Sequence, residues 1–313
     1  MIQPYLSAVI TCFNEETTIE PFIEQLIAAL EQIGLEYEII LVNDGSAEGT
    51  LVALTRLLQR YDRIKVVLDL MSNAGQAAAI TAGLMEVGGD YVLMMDSDLQ
   101  LMPGNVGLLV AATQSGADIA TGYRLNRQDA LSRTLPSMIA NWVMRRVANR
   151  RLRDFGCTFR LINRQLIDAF KLGPARVLSI PLIVSCAGRI VEVPVQHKVR
   201  KHGKSGWTFR KLWRYHADNV VVLAEPLFQV AGFVSLGFAV VLILRIVLDP
   251  ILHWSLLGNV TNGLILNAVL AGALILTGLV CVVGEFVVRC HRSVLARPSY
   301  IIRRRIARPA ANI

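Results

Sequence analysis

The sequence contains few cysteines, and none of them is arranged for metal or disulfide chemistry. Its five cysteines include no C-x-x-C pair, so neither a zinc site nor a disulfide framework is predicted. No G-x-G-x-x-G segment follows a predicted strand, and the segment that ends in Gly203-Lys204-Ser205 has Lys198 where a P-loop requires glycine. These absences disfavour enzymes that bind a dinucleotide or ATP.

The N-terminal segment lacks the basic stretch and apolar core of a signal peptide, so we expect the first half of the chain to remain in the cytoplasm. Acidic residues are fewer than basic ones, 24 against 32, which gives a net charge of +8. The basic residues lie on two amphipathic stretches and beside apolar segments. This placement favours anionic lipid headgroups as partners over nucleic acid.

Apolar residues make up 53% of the chain and concentrate after Pro226. The apolar stretches at 227–248 and 261–284 have the length of roughly 20 residues that crosses a bilayer. Asp249–Asn262 contains no Lys or Arg, whereas the C-terminal flank is rich in Arg, so the positive-inside rule predicts that both termini are cytoplasmic. The predicted organisation is a catalytic domain over 1–225, two transmembrane helices within 226–289 and a basic cytoplasmic tail over 290–313.

Short apolar runs alternate with helical patterns in the first half, which is typical of α/β folds with a mostly parallel sheet. We predict helices over residues 19–33 and Ala74–Met85. Asn14-Glu15, Asp44 and Asp96-Ser97-Asp98 each follow a predicted strand, and in such sheets ligands bind beyond the carboxyl ends of the strands. The five predicted strands are Ser7–Thr11, Glu38–Val42, Ile64–Leu70, Tyr91–Met95 and Ile119–Gly122.

Two basic amphipathic stretches precede the apolar segments. Residues 133–151 combine an apolar stripe that includes Trp142 with several arginines. This pattern suits a helix in the headgroup layer of a membrane, although a helix packed on the sheet has the same spacing. Residues 207–223 lie directly before the first apolar segment, and their position favours membrane contact.

The segment Asp96-Ser97-Asp98-Leu99-Gln100 places oxygen-bearing side chains on a turn after a strand. Such a turn suits a hard divalent cation that shares its coordination shell with phosphate oxygens. An ordinary solvated acidic turn has the same appearance. The interpretation as a cation site therefore depends on the other motifs of the chain.

Together with four other segments, this turn resembles the family 2 glycosyltransferases, which have the GT-A fold, and in particular their polyprenyl-phosphate branch. The segments occur in the order of that family. They are Ala8 to Glu16, Val42 to Ser46, Asn73 to Gln76, Asp96 to Gln100 and Arg200 to Ser205.

This resemblance implies roles for individual residues. Asp98 and Gln100, assisted by Asp96, would bind Mg²⁺ or Mn²⁺, and Asp44 would face a uracil-type base. The residues implied to bind the nucleotide sugar are Thr11, Phe13, Asn14, Glu15, Asp44, Asn73, Gln76, Asp96 and Ser97. Those implied to bind the acceptor phosphate are Arg124, Arg133, Ser137, Arg200 and Ser205. Asp98, Asp154 and Arg200 would be catalytic, with Asp154 as base or orienting group; a helix-capping aspartate is the alternative for Asp154.

Segments such as Tyr123 to Asp129 and Asp154 to Cys157 resemble the transferases of that branch that use 4-deoxy-4-formamido-L-arabinose. The resemblance implies inverting transfer from a UDP-sugar to undecaprenyl phosphate, for envelope or lipopolysaccharide (lipid A) modification. It further implies a multi-pass protein of the bacterial inner membrane and a homo-oligomer, for which a tetramer is a candidate. UDP-glucose, UDP-N-acetylhexosamine and UDP-galacturonate remain alternative donors.

Two other classes of function were weighed. A processive polysaccharide synthase would need more membrane helices and a Q-x-x-R-W motif, and Trp213-Arg214 lacks that context. A catalytically inactive membrane scaffold would be expected to have a disrupted D-x-D motif. Asp96 and Asp98 are both present, so an enzyme is favoured.

Overall fold

The computed structural model describes residues 5–125, 152–154, 156–171, 180–196 and 298–308, together with single positions between 269 and 290. The chain divides into two compact units, Met1–Val220 with Pro298–Ile313, and Val221–Arg297.

The described positions of the second unit, between 269 and 290, are helical. Within the described part of the chain, no helix combines the length and the apolar character that a membrane span requires. The predicted span 227–248 and the amphipathic stretches 133–151 and 207–223 lie outside the described residues, and the predicted span 261–284 lies largely outside them.

The described residues of the first unit form strands and helices that alternate through much of the chain. The strands are β1 (Leu6–Cys12), β2 (Tyr37–Asn43), β3 (Ile64–Leu70), β4 (Tyr91–Asp96), β5 (Ile119–Leu125), β6 (Arg160–Asn163), β7 (Ile190–Gln196) and β8 (Ile302–Ala307). The α-helices are α1 (Ile19–Ile33), α2 (Glu48–Arg60), α3 (Gln76–Leu84), α4 (Val106–Gln114), α5 (Arg164–Lys171) and α6 (Ile180–Cys186), and a short 3₁₀ helix covers Pro103–Asn105.

All eight strands join one sheet in the order β7-β5-β6-β4-β1-β2-β3-β8. The pairs β1–β2, β1–β4, β2–β3 and β5–β7 are parallel. Strand β6 is antiparallel to both β4 and β5, and β8 is antiparallel to β3. The prediction of an α/β fold with a mostly parallel sheet is confirmed, and each of the five predicted strands is present to within a few residues at its ends.

Helix α1 shows how the sequence produces this packing. Its apolar residues recur every three or four positions, so Phe22, Ile23 and Leu26 share one face and are fully buried in the core. The helix ends at Gly34, whose φ of 73° is left-handed and is readily adopted by glycine. Because β1 and β2 are parallel, the segments that follow them emerge at one edge of the sheet.

Strand β8 was not predicted, because the sequence assigned residues 290–313 to a basic tail. Residues 302–307 instead pair with β3 along the edge of the sheet. The Arg305 guanidinium donates two hydrogen bonds of 2.9 Å to the Glu86 carboxylate, and this arginine lowers the pKa of Glu86. Three consecutive arginines, Arg303 to Arg305, give no alternation of polar and apolar residues, so periodicity provided no strand signal here.

Candidate active site

The candidate site lies at the carboxyl ends of β1, β2 and β4. Thr11 pairs with Asp96, and Cys12 pairs with Asn43, in parallel register. The residues that follow these positions therefore leave the sheet at the same edge. The predicted convergence of Asn14, Asp44 and Asp98 at one edge follows from this register.

Asp44 is buried and organises the loop that precedes α3. Its carboxylate accepts hydrogen bonds from the amide N–H groups of Ala74 (2.8 Å) and Gly75 (3.1 Å). The side-chain amide of Asn73 donates to the same carboxylate over 3.1 Å. We call residues 72–75 the donor loop. Three donors hold the Asp44 carboxylate in one orientation.

A second set of hydrogen bonds connects the loops after β1, β2 and β3. The Asn43 side chain donates to Asp69 over 2.8 Å and accepts from the amide of Ser46 over 3.2 Å. The amide of Asn14 donates to the Ser46 hydroxyl over 3.0 Å. Asn14 itself has a left-handed φ of 56°, which asparagine tolerates better than most residues. These bonds hold Asn43 and Ser46, which lie on either side of Asp44 in the sequence.

Gly45 lets the Asp44 loop and the donor loop approach each other closely. A Cβ atom at this position would lie 2.3 Å from the carbonyl carbon of Ser72, and the φ of Gly45 is +64°. Any larger residue would therefore push the two backbones apart. The glycine of the Val42-Asn43-Asp44-Gly45-Ser46 motif is required by this backbone approach.

Asp96 is oriented by two neutral side chains. The Gln76 side-chain amide donates to its Oδ1 over 2.5 Å, and the Thr158 hydroxyl donates to its Oδ2 over 2.8 Å. Gln76 is the first residue of α3 and directly follows the donor loop. The loop that holds Asp44 and the turn that contains Asp96 are thus joined through one residue.

The turn after β4 has a strained backbone. Leu99 has a φ of +58°, which is uncommon for a leucine and costs about 1 kcal/mol or more. This conformation accompanies a hydrogen bond of 3.1 Å from the Gln100 amide to Asp98 Oδ1. The Ser97 hydroxyl donates to the Thr11 carbonyl over 3.2 Å, which ties the turn to the end of β1.

The turn after β4 lines a pocket with two carboxylates and one side-chain amide, and the oxygens of these groups fit a hard divalent cation. Asp96, Asp98 and Gln100 are the polar residues of this turn that line it. In the part of the chain that the structure describes, no three His, Cys, Asp or Glu side chains form a metal cluster. Mg²⁺ and Mn²⁺ often bind through one or two carboxylates and complete their shells with substrate phosphates, and the residues present fit that mode.

Arg124 lines the same pocket and forms an ion pair with Asp154. The Arg124 guanidinium donates from Nε to Asp154 Oδ2 over 2.6 Å and from Nη2 to Oδ1 over 2.9 Å. Asp154 also accepts from the amide of Gly156 over 3.1 Å. Both side chains are largely buried, with exposed fractions of 15% for Arg124 and 11% for Asp154. A carboxylate with both oxygens engaged by a guanidinium is better suited to holding that arginine than to removing a proton.

The predicted site residues do not include four of the residues that line the pocket, namely Leu101, Gly156, Cys157 and Thr158. Thr158 contacts Asp96, and Cys157 is buried beside the Arg124–Asp154 pair. Cys157 belongs to the segment Asp154 to Cys157, which carries part of the family resemblance. Thr158 follows that segment directly, and this proximity is the only sequence signal for it. The full lining consists of Asp96, Asp98, Gln100, Leu101, Arg124, Gly156, Cys157 and Thr158.

The two thiols near the site, those of Cys12 and Cys157, are buried and unreactive. Burial, with a smaller contribution from Glu15, raises the pKa of Cys12 to about 12. Burial likewise raises the pKa of Cys157 to about 11, with an added contribution from Asp154. Both thiols are protonated at neutral pH, so neither is a nucleophile there.

The remaining predicted residues fall into two groups. Near the end of β1, Phe13 is 47% exposed, and the Glu15 carbonyl accepts the amide of Ile19 (3.0 Å) at the start of α1. Glu15 also accepts the Thr18 hydroxyl through its side chain. The predicted phosphate-binding residues Arg133, Ser137, Arg200 and Ser205 lie outside the described residues.

A mostly parallel sheet with an aspartate loop after β2 and a D-x-D turn after β4 is the arrangement of a GT-A glycosyltransferase. The model of the glycosyl transferase family 2 matches residues 7–170. The chain belongs to this family and is a glycosyltransferase.

Curated relatives match over nearly the whole chain. The undecaprenyl-phosphate 4-deoxy-4-formamido-L-arabinose transferase of Edwardsiella ictaluri is 33% identical over 307 residues, which cover 95% of this chain and 93% of the relative. The transferase of the same name from Klebsiella pneumoniae is 32% identical over 313 residues, covering 97% and 94%.

Solved structures share the fold at low identity. Glucosyl-3-phosphoglycerate synthase of Mycobacterium tuberculosis, crystallised with Mn²⁺ and UDP-glucose, superposes with a TM-score of 0.50 at 18% identity. The match covers 70% of this chain and 78% of that one. This likeness establishes the GT-A fold of the catalytic unit.

Proposed function

We propose that this glycosyltransferase transfers a sugar from a UDP-sugar to undecaprenyl phosphate, with inversion at the anomeric carbon. The observation that carries the proposal is a pocket lined both by the D-x-D turn and by Arg124, the partner of Asp154. The turn supplies anionic oxygens for a cation, and Arg124 supplies a guanidinium for a phosphate. The relatives named as undecaprenyl-phosphate transferases support the identity of the acceptor.

The donor would bind along the loops after β1, β2 and β3. The buried Asp44 and the donor loop, with Asn14 and Phe13 nearby, would hold the uridine, and Asp96 would orient the ribose and diphosphate. Asp98, Gln100 and Asp96 would hold Mg²⁺ or Mn²⁺, which when bound neutralises charge on the leaving diphosphate.

The acceptor needs positioning more than activation. A phosphate monoester is already anionic at neutral pH, so a strong base is not required for its oxygen to attack. A guanidinium has five N–H donors in a planar fork that matches phosphate oxygens, and Asp154, which accepts from Nε and Nη2, fixes the direction of the Arg124 guanidinium. Arg133, Ser137, Arg200 and Ser205 would complete the acceptor site.

For the sugar, the names of the relatives favour 4-deoxy-4-formamido-L-arabinose, and we propose that the product serves lipopolysaccharide (lipid A) modification. UDP-glucose, UDP-N-acetylhexosamine and UDP-galacturonate are the competing donors, because a few hydrogen bonds decide among sugars. In the test, the purified chain, undecaprenyl phosphate and Mg²⁺ are incubated with each UDP-sugar. The mass of the lipid product and the release of UDP are then measured. If a hexose donor produces a lipid-linked sugar and the formamido-arabinose donor produces none, the proposed identity of the sugar is rejected. No lipid product from any donor would reject the reaction.

We further propose a homo-oligomer in the bacterial inner membrane, with the catalytic unit and both termini cytoplasmic. A single cysteine at Asn259, between the predicted spans, should react with an impermeant thiol reagent applied outside intact cells, and one at Ser205 should not. The reverse labelling would place the catalytic unit on the wrong side for a cytoplasmic UDP-sugar. Cross-linking in the membrane would measure the number of subunits.

A further inference from the structure

Strand β8 meets β3 at the end from which the donor loop begins. Because the strands are antiparallel, Ile302 near the start of β8 pairs with Leu70 at the end of β3. The amide of Met71 donates to the Ile301 carbonyl over 2.9 Å. The Arg303 guanidinium donates to the Met71 carbonyl over 2.5 Å. Met71, the residue before the donor loop, is therefore held on both its amide and its carbonyl by the C-terminal segment.

The donor loop connects Met71 to the residues that donate hydrogen bonds to Asp44. Its residues Asn73, Ala74 and Gly75 are the three that donate to the Asp44 carboxylate. Its first residue, Ser72, packs so closely on Gly45 that a methyl group does not fit between them. A shift at Met71 would consequently alter either the hydrogen bonds of Asp44 or the contact with Gly45.

We propose that Arg303 is a positioning residue for the donor, acting through Met71 and the donor loop on Asp44. The inference rests on the proposed function in that it takes UDP as the ligand of this site. Arg303 does not line the pocket described above; through the Met71 carbonyl it fixes where the loop leaves the sheet. The strand follows Val221–Arg297 in the sequence, so the segment predicted to span the membrane is joined by Pro298–Ile301 to the strand that anchors the donor loop.

The neighbouring arginines distinguish this role from a general contribution of β8. Arg304 is exposed and pairs with Asp69 through the backbone register. Arg305 binds Glu86, which follows α3 at the far end of that helix from the donor loop. Arg304→Ala therefore preserves the strand and the Met71 contact, and it is the matched control for Arg303→Ala.

The test compares the full-length chain in detergent with Arg303→Ala, Arg303→Lys and Arg304→Ala. UDP binding is measured by calorimetry in Mn²⁺, and amide hydrogen exchange is measured for residues 71–76. We expect Arg303→Ala to raise the Kd for UDP about fivefold, the scale of one exposed hydrogen bond to a charged donor. We expect faster exchange of the Ala74 and Gly75 amides in that variant, recovery in Arg303→Lys, and wild-type behaviour in Arg304→Ala.

Several results would overturn the proposal. Unchanged exchange and affinity in Arg303→Ala would show that the Met71 contact does not position the loop. Equal losses in Arg303→Ala and Arg304→Ala would assign the effect to strand stability. A wild-type chain that does not bind UDP contradicts the proposed donor instead, and the exchange of the Ala74 and Gly75 amides still decides the role of Arg303.

Discussion

The Arg124–Asp154 pair offers a quantitative test of how Asp154 acts. Two charge-assisted hydrogen bonds of 2.6 and 2.9 Å join side chains that are 15% and 11% exposed. Breaking a fully buried pair of this kind by removing one partner costs about 3–5 kcal/mol. Residual exposure lets water screen part of that cost, so we expect each single variant to lose about 2–3 kcal/mol of stability. Because the positioned guanidinium is also lost from the site, we expect transition-state stabilisation to fall by a similar amount, which corresponds to a loss of roughly 30- to 150-fold in kcat/KM.

The assay is a double-mutant cycle with Arg124→Ala, Asp154→Ala and the double variant. If Asp154 positions Arg124, the double variant should be about as slow as either single variant, because each single change already removes the unit. The coupling free energy would then be about 2 kcal/mol. Initial rates of lipid product formation provide kcat and KM for each enzyme, and thermal unfolding of each variant shows whether it remains folded.

Independent roles would produce a different result. If Asp154 were a base that acts without Arg124, the two losses should add, with coupling below about 0.5 kcal/mol, and the positioning role would be refuted. Arg153→Ala is the matched control in the same segment. Arg153 stacks on the Tyr123 ring at 4.7 Å, a contact worth about 0.5–1 kcal/mol at an exposed site, so its loss should slow the reaction by less than about fivefold.

Three further predictions concern other residues that line the pocket. Asp98→Ala, or EDTA with the wild-type enzyme, should abolish transfer because the diphosphate would leave uncompensated; undiminished turnover in either case would remove the cation from the mechanism. Thr158→Val should lower kcat/KM about tenfold by removing a hydrogen bond to the Asp96 carboxylate, and Thr158→Ser should restore most of it; equal rates for the Val variant and wild type would contradict the role of Thr158. At pH 8, the Cys157 thiol, whose pKa is raised to about 11, is about 0.1% thiolate, so peptide mass spectrometry after maleimide treatment should find exposed Cys186 modified and Cys157 intact until the chain is unfolded. Labelling of native Cys157 at the Cys186 rate would show that the thiol is neither buried nor neutral.

The local pattern of apolar and polar residues was sufficient to predict the central part of the fold. Strands β1, β2, β3, β4 and β5 are short apolar runs bounded by polar turns, and α1 has a clear apolar face. In parallel sheets, ligands bind beyond the carboxyl ends of the strands, and this rule predicts that Asp44 and the D-x-D turn lie at one edge. The family motifs lie on these same strand ends, because the residues that bind phosphate and metal are carried on loops held by buried strands.

The tertiary structure decided what depends on pairing between distant segments. Strand β6 has only four residues and runs against its neighbours, so neither its length nor its direction was available from periodicity. Strand β8 is an arginine-rich segment that becomes a strand only because β3 offers an unpaired edge. The contacts of Thr158 with Asp96 and of Asp154 with Arg124 join residues 62 and 30 positions apart.

By itself, then, the sequence determined the class of fold, the strands that build its centre and the edge at which the chemistry lies, because buried apolar periodicity and strand-end polar residues are local properties. The orientation of each site carboxylate was decided by the tertiary structure. A side chain acquires its direction from the donors that reach it, and at Asp44, Asp96 and Asp154 those donors come from other segments of the chain.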